Sequence, residues 1–246
     1  MLPGVGEAGQ ERLRSGRVTV VGAGGIGSAA LFYLAAAGVG RLTIVDGDTV
    51  ELSNLQRQIL HRMTDLGRAK VDSAKDALIA LNPHCQVEIR KVRLDAANIS
   101  EVLEDGGLVL DASDNFPTRF LIADYCWLNR ITLVSAAVAE FTGQLLVVDP
   151  EQGSPCYRCL LPEPPEDRPR GILGSVAGVL GCLQATEAVK LLLGWGSDLV
   201  QALLTYDALK CRFHVMPRAR AAECPLCGEN PKITGLSAWA GGCAPL

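Results

Sequence analysis

Residues 17–33, RVTVVGAGGIGSAALFY, decide the fold. The β-branched run at 18–21 predicts a buried strand. It ends in Gly22-Ala23-Gly24-Gly25-Ile26-Gly27 and passes into an Ala/Leu-rich helix that continues over 29–37. Glycine is needed where backbone turns tightly and lies against a phosphate, because a Cβ would collide there. The helix start then turns unpaired N–H groups and the positive end of its dipole toward the anion. Gly22, Gly24, Gly25 and Gly27 are therefore read as a nucleotide-phosphate cradle, against the plainer reading of a structural turn. Which nucleotide, and for what reaction, depends on the residues around it.

Outward from that stretch the chain alternates strand and helix. A short helix at 9–15 precedes it. Gly38-Val39-Gly40 ends the helix, with glycine suited to a left-handed cap. A second strand at 42–45 ends on Asp46, roughly 20 residues past the glycines, where an acid accepts ribose hydroxyls. The polar stretch 47–61, GDTVELSNLQRQILH, has no long apolar period. A helix is predicted over 67–81 with Val71, Ala74, Leu78 and Leu81 on one face, stopped by Asn82-Pro83. Then come a strand at 86–92, a short helix at 98–103, a buried strand at 108–110, a helix at 116–129 and a strand at 131–138. From 141–148 the pattern alternates, as in antiparallel strands. A proline-rich charged loop, PEPPEDRPR, fills 162–170. A long apolar helix spans 174–193, and a hairpin is predicted from 203–206 and 212–215. The fold class is thus α/β, a Rossmann-like sheet with a parallel N-terminal part, antiparallel C-terminal strands and helices on both faces. One domain is predicted over 1–233, with 234–246 a Gly/Ala-rich disordered tail.

Composition narrows the functions. The chain has 246 residues, 48% of them hydrophobic, enough for a large core. A net charge of −4 gives no basic face for nucleic acid. No basic and apolar leader follows Met1, which predicts a cytoplasmic protein. The apolar stretch LGCLQATEAVKLLLG is cut by Gln, Glu and Lys, so no membrane span is expected.

Two further groups carry chemistry. Asn54, Arg57 and Lys70 lie close in sequence to the cradle. A dinucleotide dehydrogenase needs no added cations at its phosphates, whereas attack on the α-phosphorus of ATP builds negative charge on departing pyrophosphate. Arginine grips phosphate oxygens bidentately and lysine adds a compact charge. Taken singly, both would be solvated surface charges. Asp111 and Asp114 follow the strand at 108–110, where a carboxylate suits Mg²⁺. Asp114 could instead cap the helix starting at Phe116. Nine cysteines include Cys156-x-x-Cys159 and Cys224-x-x-Cys227, a set matching a closed tetrahedral Zn²⁺ site. Cys182 is read as core, and His61, His84 and His214 as structural.

Together these segments resemble the ThiF/MoeB/HesA family, the bacterial relatives of ubiquitin-activating enzymes. VVGAGGIGS, IVDGDTVELSNLQRQILH, GRAKVDSAKDALIALNP, DASDNFPTR, PCYRCL, GVLGCLQATEAVKLLLG and CPLC stand in family order from about residue 2 to 227. The resemblance implies adenylylation of a small ubiquitin-like sulfur-carrier protein of the MoaD or ThiS kind. Its C-terminal Gly-Gly carboxylate attacks the α-phosphate of MgATP and releases pyrophosphate, in molybdopterin, thiamine or related synthesis. It also implies that Gly25, Asp46, Asn54, Arg57, Lys70, Asp114 and Asn115 contact ATP or its metal, with Asp114 on Mg²⁺. The cysteines would hold zinc, and the protein would be a homodimer. The chain departs from the family twice. A cysteine that family members often carry four residues before the glycine matching Gly171 is Asp167 here. The Arg-rich segment ahead of the LPxxG-like stretch is missing from a sequence that starts MLPGVG. Either the start is truncated, or Arg12 or Arg14 substitutes, or activity is reduced.

Two other functions compete. The glycine fingerprint alone suits an NAD(P)-dependent oxidoreductase, although no catalytic His or Tyr-Lys arrangement is evident. The two departures suit a catalytically impaired, carrier-binding scaffold of the same family.

Overall fold

The computed structural model describes residue 2 and residues 4–104, 107–166 and 171–236. In chain order it contains α1 (Gly6–Ser15), β1 (Arg17–Val21), α2 (Gly25–Ala37), β2 (Arg41–Val45), α3 (Lys70–Leu81), β3 (Gln86–Arg90) and α4 (Ile99–Val102). There follow β4 (Leu108–Asp111), α5 (Phe116–Leu128), β5 (Leu133–Ala139), β6 (Thr142–Val148), α6 (Gly174–Leu192), β7 (Ala202–Asp207) and β8 (Arg212–Pro217). Asp167 and most of the predicted tail lie outside the described residues.

The strands form one eight-stranded sheet in the order β3-β2-β1-β4-β5-β6-β7-β8. The first five run parallel, each pair joined through a helix or a long crossover. From β5 onward the pairs are antiparallel. This is the predicted division, and it falls where alternation replaces continuous apolar runs. β1 lies between β2 and β4, with Val21 level with Val45 on one side and Asp111 on the other. The chain moves outward from β1 in one direction and then restarts at β4 in the other. That reversal opens a crevice at the carboxyl ends of β1, β2 and β4.

Apolar side chains fill both faces of the sheet. On one face Val18, Val20, Leu42, Ile44, Leu110 and Val134 pack with Leu31 and Leu34 of α2, Val71 and Leu78 of α3, and Leu180 of α6. On the other, Val45, Val109, Leu133 and Val148 pack with Ile99 of α4, Phe120 and Ile122 of α5, and Tyr157. α6 has the length and hydropathy of a membrane-crossing helix. It is a core helix here, because Gln184 is fully buried and its Nε2 donates to the carbonyls of Asp111 at 2.8 Å and Val134 at 2.9 Å.

Several expectations need correction. The helix predicted from residue 67 starts at Lys70. Gly67 N donates to Val50 O, Val50 N to Arg68 O and Lys70 N to Asp48 O, so residues 67–69 pair as extended chain instead. Leu81, expected on the core face, is 48% exposed, because it is the last residue of α3 and lies beyond the core contacts of Val71, Ala74 and Leu78. Cys182 is only half-buried, with its thiol beside the Tyr33 hydroxyl on α2. Arg12 donates to Leu193 O and Arg14 pairs with Glu11, so within its own chain neither reaches the crevice.

Candidate nucleotide site and cysteine cluster

The glycine loop sits at the mouth of the crevice. Gly22 has φ +101°, a left-handed conformation, and a Cβ there would stand 2.6 Å from the Ala112 carbonyl oxygen at the end of β4. A Cβ on Gly27 would collide with the Gly22 carbonyl. Only glycine lets the loop fold back on itself and let β1 and β4 approach. Gly24 is the residue before α2, and Gly25 begins the helix beside Arg57 and Ala177. The first N–H groups of α2 therefore face the crevice mouth.

Asp46, at the end of β2, is half-buried and accepts hydrogen bonds from Ala23 N and Asp48 N, each at 2.8 Å. It thus braces the loop from the end of β2, with one carboxylate oxygen on each of these N–H groups. Burial raises its pKa, and the nearby Lys70 charge works against that rise.

Lys70 opens α3 and is buried, with Nζ 3.1 Å from Asp48 Oδ2. Asp48 also takes a hydrogen bond of 2.9 Å from Arg93, which lies beyond β3. Burial opposes ionisation of Asp48, but Lys70 and Arg93 together outweigh it and hold the carboxyl below its usual range. Asn54 ends a 3-10 turn at Leu52–Asn54 and donates to Ser53 Oγ, and Arg57 donates to the Ser53 carbonyl at 3.2 Å. The chain after the turn brings Arg57 Cγ beside Gly25, whereas the Asn54 amide is turned to its neighbour Ser53.

At the end of β4 the two aspartates separate. Asp111 is fully buried. It accepts from the Ser113 and Ser135 hydroxyls and faces Arg119 at 3.3 Å, so its carboxylate is consumed internally. Asp114 is exposed. The residue that caps α5 is Asn115, whose side chain accepts from Thr118 N at 2.9 Å. The capping reading of Asp114 is therefore wrong, and Asn115 carries a structural task not foreseen for it.

Cys156, Cys159, Cys224 and Cys227 converge at the far side of α5. Their sulfurs all lie within 4.8 Å of one another, with Cys156–Cys224 at 3.4 Å, Cys159–Cys227 at 3.3 Å and Cys156–Cys159 at 3.8 Å. A tetrahedron with metal–sulfur bonds of about 2.3 Å has edges of about 3.8 Å, so the donor set fits zinc. Leu226, Trp127 and Ile233 pack around it. Arg158, between the first two cysteines, makes a bidentate pair with the buried Asp124 of α5, both bonds 2.8 Å. Arg220 donates to the Cys227 carbonyl and lies over the Trp127 ring.

The ThiF family model matches residues 1–226. The chain belongs to the ThiF family. This ThiF-family chain is 48% identical over 232 residues to the SAMP-activating enzyme E1 of Haloferax volcanii, covering 92% of this chain and 85% of that protein. It is 46% identical to the sulfur carrier protein adenylyltransferase of Thermus thermophilus, covering 94% of this chain and 89% of that one. It is also 46% identical to the maize adenylyltransferase and sulfurtransferase MOCS3-1, but spans only 51% of that protein. Among solved structures, Escherichia coli MccB with ATP superposes with a TM-score of 0.78 at 21% identity, over 89% of this chain and 68% of that one. At that identity the likeness shows the fold.

Three residues of this ThiF chain's site were not foreseen. Asp48 is held between Lys70 and Arg93, and only the alternation DGD hinted at Asp48. His61, expected to be merely structural, lies under the glycine loop, with Nε2 2.9 Å from Ala23 O and Nδ1 2.9 Å from Ser73 Oγ. His84 and His214 lie at the surface, as a structural reading requires.

Proposed function

We propose that the protein is an ATP-dependent adenylyltransferase that activates the C-terminal Gly-Gly carboxylate of a ubiquitin-like sulfur-carrier protein. What supports this is that Arg57 lies beside Gly25, that Lys70 is tied to Asp48 just after β2 and that Asp114 follows β4 next to the loop, in a chain whose relatives bear adenylyltransferase and E1 names. None of the relatives named above is an oxidoreductase, and no observation favours that alternative.

In this reading the N–H groups at the start of α2 hold phosphate oxygens, and Asp46 accepts from the ribose hydroxyls. Asn54 orients the polyphosphate. The carrier carboxylate attacks the α-phosphorus, the bond to the bridging oxygen breaks, and pyrophosphate leaves. Arg57 and Lys70 face the charge that grows on the departing group, which stabilises the transition state more than the ground state. Asp114, with Asn115 beside it, would hold Mg²⁺, which neutralises phosphate charge. No protein nucleophile is needed, so catalysis rests on positioning and electrostatics. The cysteine quartet would hold zinc as a structural clasp. A homodimer is part of the same reading.

The test is ATP–pyrophosphate exchange in the presence of carriers ending in Gly-Gly. Carrier-dependent exchange is expected. Carrier binding without exchange would favour the impaired scaffold instead.

A further inference from the structure

We propose that His61 is a positioning residue of the phosphate loop, holding the Ala23 carbonyl back from the anion so that the next N–H points forward. The inference rests on the nucleotide reading of the crevice. An anion cradle works only if backbone N–H groups face the ligand and carbonyl oxygens face away. Ala23 O and Gly24 N–H belong to one planar trans peptide and point in opposite directions. A donor that pulls on the Ala23 oxygen from below therefore aims the Gly24 N–H upward. His61 is that donor, at 2.9 Å. Ala23 and His61 are both buried, whereas Gly24 is half-exposed at the crevice, so the two ends of this peptide lie in different surroundings.

The rest of the ring's bonding fixes which nitrogen donates. A carbonyl oxygen only accepts, so Nε2 carries the proton. Nδ1 of the neutral ring faces the Ser73 hydroxyl at 2.9 Å, whose one proton is shared between this nitrogen and the Asp65 carboxylate. Ser73 lies in the first turn of α3, three residues after Lys70. Asp46 meanwhile binds the Ala23 N–H, so the peptides on both sides of Ala23 are clamped. One imidazole thereby sets the distance between the loop that cradles phosphate and the helix that carries Lys70. A histidine that only filled the core would need partners for its nitrogens too, but they need not be the phosphate loop and the helix of Lys70 together.

Titration calorimetry of the full chain with magnesium and α,β-methylene ATP tests this directly, with unfolding midpoints measured alongside. His61→Phe fills the same space without a donor and is expected to weaken binding about tenfold, the worth of one such hydrogen bond. His61→Gln, which can return an N–H to the Ala23 oxygen, is expected to stay within about threefold of the wild type. A folded His61→Phe protein that binds as tightly as the wild type would overturn the proposal, as would equal weakening in Phe and Gln variants. Should the Phe variant not fold, Ser73→Ala frees the ring to rotate and is expected to weaken binding about threefold, and unchanged affinity there would overturn it. A wild type that binds no nucleotide sinks the nucleotide reading and this inference with it. A wild type that binds the analogue but adenylates no carrier sinks only the carrier assignment, and the His61 comparison still decides.

Discussion

Lys70 Nζ stands 3.1 Å from Asp48 Oδ2, and the same two residues are joined again where Lys70 N donates to Asp48 O at 3.0 Å. This double tie fixes the start of α3 against the loop that follows β2. It presents a nearly dehydrated ammonium at the crevice without leaving it as an uncompensated buried charge.

Removing that ammonium separates catalysis from folding. Lys70→Ala is expected to lower carrier-dependent pyrophosphate exchange by about a hundredfold or more. Asp48 keeps Arg93 as a partner, so the urea midpoint should change little. Full exchange activity in the variant would show that Lys70 does not face the leaving group.

Asp114 and Asn115 should respond in opposite ways. Asp114→Asn is expected to abolish exchange at ordinary magnesium concentrations and leave stability unchanged, since Asp114 does not cap α5. Asn115→Ala removes the side chain that accepts from Thr118 N and should cost about 1 kcal/mol of stability. Chemical denaturation and exchange assays on both variants check the pair; stability lost at 114 and not at 115 would reverse the assignment.

The Asp124–Arg158 pair is buried on both sides, with side chains 0% and 8% exposed. Asp124→Ala removes the bidentate carboxylate from the buried guanidinium and is expected to destabilise the protein by about 3–5 kcal/mol, measured by denaturant unfolding. Because Arg158 lies between two of the clustered cysteines, the variant should also bind zinc less tightly.

Metal analysis of purified protein is expected to give about one zinc per chain. Cys224→Ser or a strong chelator should remove it and lower the thermal midpoint by about 5 °C or more. A stably folded, metal-free preparation would contradict the clasp.

His61 gives the protein a pH dependence of known sign. Burial lowers its pKa below 6.5, opposed by the Ala23 hydrogen bond; Lys70 adds to the lowering, while Asp46 and Asp65 favour the charged form. Between the lowered folded value and 6.5 the unfolded chain binds more protons, so stability rises with pH across that window. On acidification the loss begins near pH 6.5 and ends below the folded value. His61→Gln should flatten this part of the profile, and an unchanged slope would show that another group titrates.

The parallel half of the fold was legible because each strand there is a short β-branched run closed by a turn residue, as at Val21-Gly22 and Val45-Asp46. The cysteine quartet was legible from spacing alone. What was hidden depended on contacts distant in sequence. The start of α3 was misplaced because residues 67–69 pair with 48–50, a competition that helical periodicity cannot register. Strand position alone did not separate Asp111 from Asp114; Arg119, Ser113 and Ser135 occupy the first of them. His61 lacked a signal because its partners, Ala23 and Ser73, lie 38 and 12 residues away.

The order of the two sites along the chain has a consequence for biogenesis. Every residue assigned to the nucleotide lies at or before Asn115, while the metal clasp needs Cys227. During synthesis the crevice is completed only when α6 has emerged to pack on α2 and brace Asp111, and the last two thiolates leave the ribosome later still. On the zinc reading proposed above, metal capture is then the closing event of maturation. On that same reading, a shortage of the metal would leave the segment around Cys156 and Cys159 unfastened from the one around Cys224 and Cys227.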